Sequence, residues 1–102
     1  MLTVKGTLLY GYVDAEGKAH AAFEMRMPTL EDMEWAIENA PEGASPARMA
    51  RYIWARTLVS LGELTPEQIT PELLAGLHYG EYNVLEAAEV ELKGKLTPAS
   101  AA

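Results

Sequence analysis

The stretch Phe23-Glu24-Met25-Arg26-Met27-Pro28-Thr29-Leu30-Glu31-Asp32-Met33 constrains the fold more than any other part of the chain. Before it, apolar residues recur at every second position, the rhythm of a half-buried strand. After it, they recur at every third or fourth, the rhythm of a helix. Pro28 has no amide to give to a strand ladder, so it ends the first regime. Thr29 supplies a side-chain acceptor for the first free amides of a helix, and Glu31 and Asp32 fall near the positive end of that helix. The chain is therefore an α+β protein: an N-terminal antiparallel β-hairpin followed by three to four α-helices.

The hairpin is expected over residues 2–27. Leu2, Val4, Leu8, Tyr10 and Tyr12 form the apolar phase of one strand, and Ala21, Phe23, Met25 and Met27 that of the other. Asp14-Ala15-Glu16-Gly17-Lys18 is the turn between them. Gly6 and Gly11 read as weak points in the first strand rather than as bulges or close contacts. A lone hairpin is marginal in water, so other elements must cover its apolar face.

Four helical segments follow. The first spans about 30–40, with Leu30, Met33, Ile37 and Ala40 as its core stripe. The second starts at the cap Ser45-Pro46 and runs to about Leu61, with Gly62 as its stop. Thr65-Pro66-Glu67-Gln68 has capping-box spacing and suits a short turn. The third spans 71–77, carrying Leu73, Leu74 and Leu77. The fourth spans 80–93, with the stripe Val84, Leu85, Ala88 and Leu92. Residues 1–96 make one domain and 97–102 a frayed tail. Ser/Thr-Pro at 45, 65 and 70 is one capping device used three times, not a repeat.

Charge and composition narrow the function. The formal net charge is −7. Residues 1–27 balance Lys5, Lys18 and Arg26 against Asp14, Glu16 and Glu24, so the excess acid lies in the helical part. Phosphate binding needs clustered cations, which argues against nucleic acid and against an anionic membrane as partner. There are no cysteines, hence no disulfide and no thiolate chemistry. The N-terminus lacks the apolar core of a signal peptide, and no run approaches the ~18 apolar residues of a bilayer span. The expectation is a soluble, cytoplasmic protein.

No catalytic or metal-binding pattern stands out, and no cofactor is implied. His20 falls on the polar phase of its strand, and His78 lies beside a helix start; both read as structural or solvated. Glu31, Asp32, Glu34 and Glu38, like Glu81, Glu86, Glu89 and Glu91, read as solvated acidic faces. Ser45 and Ser60 lack a nucleophile-elbow context. A helix-turn-helix reading would place Thr70–Leu77 on DNA, yet Glu72 is its only charge.

Two features point to binding. The first helix carries four acids and no base, while the second carries Arg48, Arg51 and Arg56 and no acid. Antiparallel packing would set these charges opposite each other as exposed pairs, each worth under about 1 kcal/mol, and could also fix pairing in a homo-oligomer. In addition, Trp35 projects about 160–200° from the Leu30/Met33/Ile37 stripe at ~100° per residue. The second helix is apolar on two sides, so it is either central to the domain or buried against a partner. Trp35, Tyr52, Val59 and Tyr82 are the expected contacts for self-association or a partner. Met25, Met27, Met33 and Met49 read as ordinary core.

The hairpin followed by Glu24–Met33 resembles the small tail assembly chaperones of Mu-like and related tailed phages. That family has an Arg-x-Pro-Thr-x-x-Asp junction, matched here by Arg26, Pro28, Thr29 and Asp32. It also has a late acidic and aromatic segment, matched by Leu77-His78-Tyr79-Gly80-Glu81-Tyr82. The likeness covers roughly residues 2–95. It implies a non-enzymatic protein that binds the tape-measure protein in the host cytoplasm and keeps its apolar helices from aggregating during tail assembly. The family offers no catalytic residue, and the four junction residues carry over as structural. The alternative is a small protein-binding adaptor or regulatory domain that uses the hairpin edge to add a partner strand.

Overall fold

The computed structural model describes residues 1–97 and 99. Residues 98 and 100–102, most of the tail expected at 97–102, lie outside the described residues. The chain is an α+β fold, with the elements β1 (Thr3–Val13), β2 (Ala19–Arg26), α1 (Leu30–Asn39), α2 (Pro46–Thr57), β3 (Leu58–Leu61), α3 (Pro71–Ala75) and α4 (Glu81–Gly94). A 3₁₀ turn at Pro66–Gln68 lies between β3 and α3. The sheet is antiparallel in the order β1-β2-β3. No helix among the described residues is long and apolar enough to cross a membrane.

The hairpin, its turn and the apolar phase of β2 are as expected. Phe23 and Met25 are buried, and Ala21 and Met27 are half-buried against them. In β1 only Val4 and Leu8 of the expected phase are buried; Leu2 and Tyr10 are exposed. The reason is a wide bulge. Thr7 pairs with Ala22 and Tyr12 with His20, so Leu8, Leu9, Tyr10 and Gly11 together oppose Ala21 alone. Gly11 takes a φ of +79° in that bulge, a conformation that other residues adopt at a cost. At Gly6 a Cβ would lie 2.5 Å from the Phe23 ring, which covers the glycine backbone. These two glycines are therefore a bulge and a close contact rather than weak points.

The second helix ends earlier than its apolar pattern implies. It stops at Thr57, and Leu58–Leu61 extend into β3. Phe23 pairs with Leu61, Glu24 with Ser60 and Met25 with Leu58, leaving Val59 unpaired at an irregularity. The expectation of helix to Leu61 placed Leu61 on one apolar face of the second helix and Val59 on the other. The free edge of β2 offers these residues a ladder, and tertiary pairing overrides the local pattern. Smaller boundary differences occur at α3, which ends at Ala75, and at α4, which runs 81–94.

Caps hold the helices as their sequence signals imply. Ser45 Oγ accepts from the Arg48 amide at 3.2 Å and Thr70 Oγ1 from the Leu73 amide at 3.1 Å. The Thr65 amide donates to Gln68 Oε1 at 2.8 Å. The core gathers Val4, Leu8, Phe23 and Met25 from the hairpin with Trp54, Leu58, Leu74, Leu85, Ala88 and Leu92. The α4 stripe is thus buried as expected, with Val84 half-buried beside it.

One buried group has no partner. Thr57 Oγ1, fully buried where α2 turns into β3, makes no hydrogen bond among the described residues. A hydroxyl stripped of water and left unpaired destabilises the fold. Thr57→Val keeps the β-branched shape and removes the hydroxyl, so stability should rise by about 1 kcal/mol. The check is the urea midpoint, which should increase with an unchanged m value.

Candidate functional site

The junction is built around Asp32. Its side chain is 1% exposed and receives five donors. Arg26 grips it with both terminal nitrogens, Nη1 to Oδ2 at 2.7 Å and Nη2 to Oδ1 at 2.8 Å. Arg56 Nε donates to Oδ1 at 2.9 Å. The Thr29 amide donates to Oδ2 at 2.8 Å and its hydroxyl at 3.1 Å, while the Asp32 amide returns a bond to Thr29 Oγ1. Arg26 also donates to the carbonyls of Arg56 and Met27. Strand β2 and helices α1 and α2 therefore meet at one carboxylate. Pro28, half-buried, links β2 to the cap. The four junction residues come together as a structural unit, and Arg56 is the member that sequence spacing did not place there.

This arrangement corrects two expectations. Asp32 is not part of a solvated acidic face. The helices do pack antiparallel, Asp32 beside Arg56 and Trp35 beside Tyr52, but the main charge contact is buried, and only Glu31 adds an exposed one, at 3.5 Å to Arg56. Arg48 and Arg51 meet none of the acids of α1.

Turning Asp32 inward turns the expected core stripe outward. Leu30 is 74% exposed, Met33 43% and Ile37 61%. The face of α1 against α2 is made instead by Asp32 and Ala36, both buried, and by Trp35. Trp35 is half-buried, its ring 6.0 Å from that of Tyr52 and 5.3 Å from the Arg56 guanidinium. It packs across the contact between α1 and α2. Tyr52 is likewise half-buried, and Val59 is half-buried on β3. Tyr82 sits elsewhere, edge-on to Trp54 at 5.1 Å. Of the four expected contact residues, only Trp35 and Tyr52 are adjacent.

A cleft of about 440 Å³ opens between α2, α3 and α4. Trp54, Leu74, Leu77, Tyr82 and Leu85 give it apolar walls, and Arg48 and Arg51 also line it, the Arg51 guanidinium 5.7 Å from the Tyr52 ring. Trp54 is fixed from behind, its Nε1–H donating to Glu89 of α4 at 3.0 Å. Tyr79, 88% exposed, and His78 close one end. His78 stacks near Tyr10 and Tyr79, each 4.8 Å away, and its Nδ1 accepts from the Gly80 amide. The segment Leu77–Tyr82 thus shapes one wall of the cleft.

That wall is anchored by a second buried carboxylate. Glu81, 1% exposed at the start of α4, accepts from the amides of Leu9, Tyr10 and Gly11 at 2.7, 2.9 and 2.9 Å. These are the amides that the β1 bulge removes from the strand ladder. Glu81 was expected on a solvated face. Nothing in its local spacing marks it as buried, because its partners are backbone groups some seventy positions away. His20 takes the structural one of the two roles expected of it, although it lay on the polar phase of its strand. It is buried at 4%, with Nδ1 accepting from the Glu63 amide at 3.1 Å and Nε2 2.9 Å from Asp14. With Nδ1 as acceptor, the proton lies on Nε2 and is donated to Asp14. The histidine fastens the hairpin turn to the loop after β3.

The sheet has β1 and β3 as its outer strands. β2 has β1 on one side and β3 on the other. Within the β1 bulge the amides of Leu9, Tyr10 and Gly11 are held by Glu81. Among the described residues, no group of three or more His, Asp or Glu could hold a metal ion.

Both buried carboxylates titrate below their usual values. The Arg26 guanidinium lowers Asp32 most, against the cost of burial, with Arg56 and the Thr29 amide adding to the effect. For Glu81 burial is the largest influence and acts upward, but the three amides together outweigh it and the carboxyl is lowered. A carboxyl lowered in the folded state stabilises fully above its unfolded value and loses that contribution as pH falls through the folded one. Thermal stability should therefore hold from neutrality to about pH 5 and fall below about pH 4. Asp32→Asn should cost about 3 kcal/mol at neutral pH, because it leaves two arginines facing an uncharged amide. Glu81→Gln should cost about 2 kcal/mol by weakening the charge-assisted bonds to the bulge. Thermal melts of each variant across pH 3–7 check both values, and each variant should show a shallower acid limb than the parent. No family model, curated protein or solved structure matches this chain.

Proposed function

We propose that this chain is a phage or prophage tail assembly chaperone of the Mu-like type. In this reading it binds helical segments of a tape-measure protein in the host cytoplasm and prevents their aggregation until the tail tube forms. The observation that carries the reading is the cleft between α2, α3 and α4. Its apolar walls of Trp54, Leu74, Leu77, Tyr82 and Leu85 suit the apolar side of a helix laid across it. Resemblance at Arg26, Pro28, Thr29 and Asp32, and again over Leu77–Tyr82, supports the choice of family.

The mechanism is physical shielding. Apolar side chains of the client leave water by entering the cleft, at roughly 25 cal/mol for each Å² covered. The chain's net charge of −7 keeps the complex dispersed. The role proposed is non-enzymatic and needs no cofactor. A protein-binding adaptor that adds a strand at the hairpin edge gains less support, since that edge is interrupted between Thr7 and Tyr12 by the β1 bulge, which Glu81 holds.

Co-expression tests the proposal. Helical segments of a tape-measure protein should stay in the soluble fraction with this chain and co-elute with it. Leu77→Glu, a half-buried change in the cleft wall, should reduce co-elution roughly tenfold while the circular dichroism spectrum is preserved, the loss expected when an interface pocket is filled by a charge. Segments that aggregate equally with and without the chain would reject the function.

A further inference from the structure

Three apolar side chains of α1, Leu30, Met33 and Ile37, stand in water at spacing i, i+3, i+7. They form one stripe, and helix-in-groove recognition uses such a stripe as its anchors. Glu34 and Glu38 border the stripe. Among the described residues neither pairs with a cation. The cleft presents the complementary surface. Its lining is mostly apolar, and the cations in it, Arg48 and Arg51, pair with no carboxylate among the described residues. Each charge pair spans one helical turn, about 5–6 Å.

The same molecule cannot join its two surfaces. Helix α1 is fixed against the Tyr52 and Arg56 side of α2 with its stripe facing away. Of the α2 residues in the cleft, Ala47, Arg51 and Trp54 lie about 100–160° around the helix from Tyr52, and Arg48 about 40°. The charge match between α1 and α2 that is left unmade within one chain is therefore available between two.

We infer that the α1 stripe of one copy docks in the α2–α3–α4 cleft of a second copy, with Glu34 and Glu38 facing Arg48 and Arg51. The occupant is a second copy because its α1 has both features the cleft selects, a narrow apolar stripe and flanking acid, in a chain whose overall negative charge otherwise keeps copies apart. The contact is heterologous: each copy donates a helix and offers a cleft, so association continues into a ring or a short open chain rather than stopping at a symmetric pair. The inference rests on reading the cleft as a receptor for helices but not on the identity of the client. In the cell the docked helix would occupy the client's place, so client binding and self-association would compete.

Sedimentation velocity on the full chain alone tests this. The parent should exceed its chain mass of 11.1 kDa as concentration rises over a hundredfold range. A stripe variant, Met33→Glu with Ile37→Glu, and a cleft variant, Arg48→Glu with Arg51→Glu, should each weaken association at least tenfold. Mixed together they should form a species of two chains and no larger, because the stripe variant keeps an intact cleft and the cleft variant an intact stripe. Should the cleft variant lose its fold, Arg48→Glu alone carries the test, being exposed and three residues after the Ser45 cap. A parent that stays monomeric throughout, association unaffected by both variants, or variants that fail to complement on mixing would each overturn the inference. Self-association without tape-measure binding would reject only the proposed client. Client binding by a strictly monomeric chain would reject only the docking of copies.

Discussion

The fold turns on the carboxylate of Asp32. A charged group so deeply buried is tolerated only when every lone pair is answered, and here two guanidiniums and the Thr29 amide and hydroxyl answer them. Because Arg26 ends β2 and Arg56 sits in the last turn of α2, the same carboxylate fixes where α1 leaves the sheet and which of its faces meets α2. The small Ala36 lets the helices approach, and Trp35 closes over Arg56 at the margin. The outward stripe of Leu30, Met33 and Ile37 follows from that choice.

A second carboxylate does comparable work between β1 and α4. The β1 bulge leaves three amides without strand partners, and an orphaned amide is costly wherever water is kept out. Glu81 gathers all three and so joins the first strand to the start of the last helix. The bulge and Glu81 depend on each other: without the bulge the amides would belong to the ladder, and without the carboxylate they would be unpaired. The aromatic segment just before Glu81 is held in place as a consequence, which gives the cleft a firm wall.

The molecule therefore places its polar interactions inside and leaves some of its apolar surface outside. Fully burying three side chains like those of the α1 stripe is worth about 1.5–3 kcal/mol each. In a domain of this size that is a large share of the total stability. A chain that forgoes it has surfaces suited to covering, and being covered by, other helices. The proposed shielding role draws on that exposed apolar surface.

The sequence by itself determined the elements and their order. Pro28 and Thr29 fixed the break between hairpin and helix, Ser45 and Thr70 the starts of later helices, and the phase of Phe23 and Met25 the inner face of β2. These are local effects, set by backbone chemistry within a few residues. Even the two faces of α1 were visible in its periodicity. Only the tertiary structure decided which face turned inward, because a carboxylate flanked by two arginines from distant elements outweighs an apolar stripe, and periodicity carries no information about distant partners. The same limit hid Glu81, whose donors are backbone amides, and β3, whose residues pair because β2 offers an open edge. Where a residue's state depends on groups its neighbours in sequence do not supply, only the assembled chain could settle it.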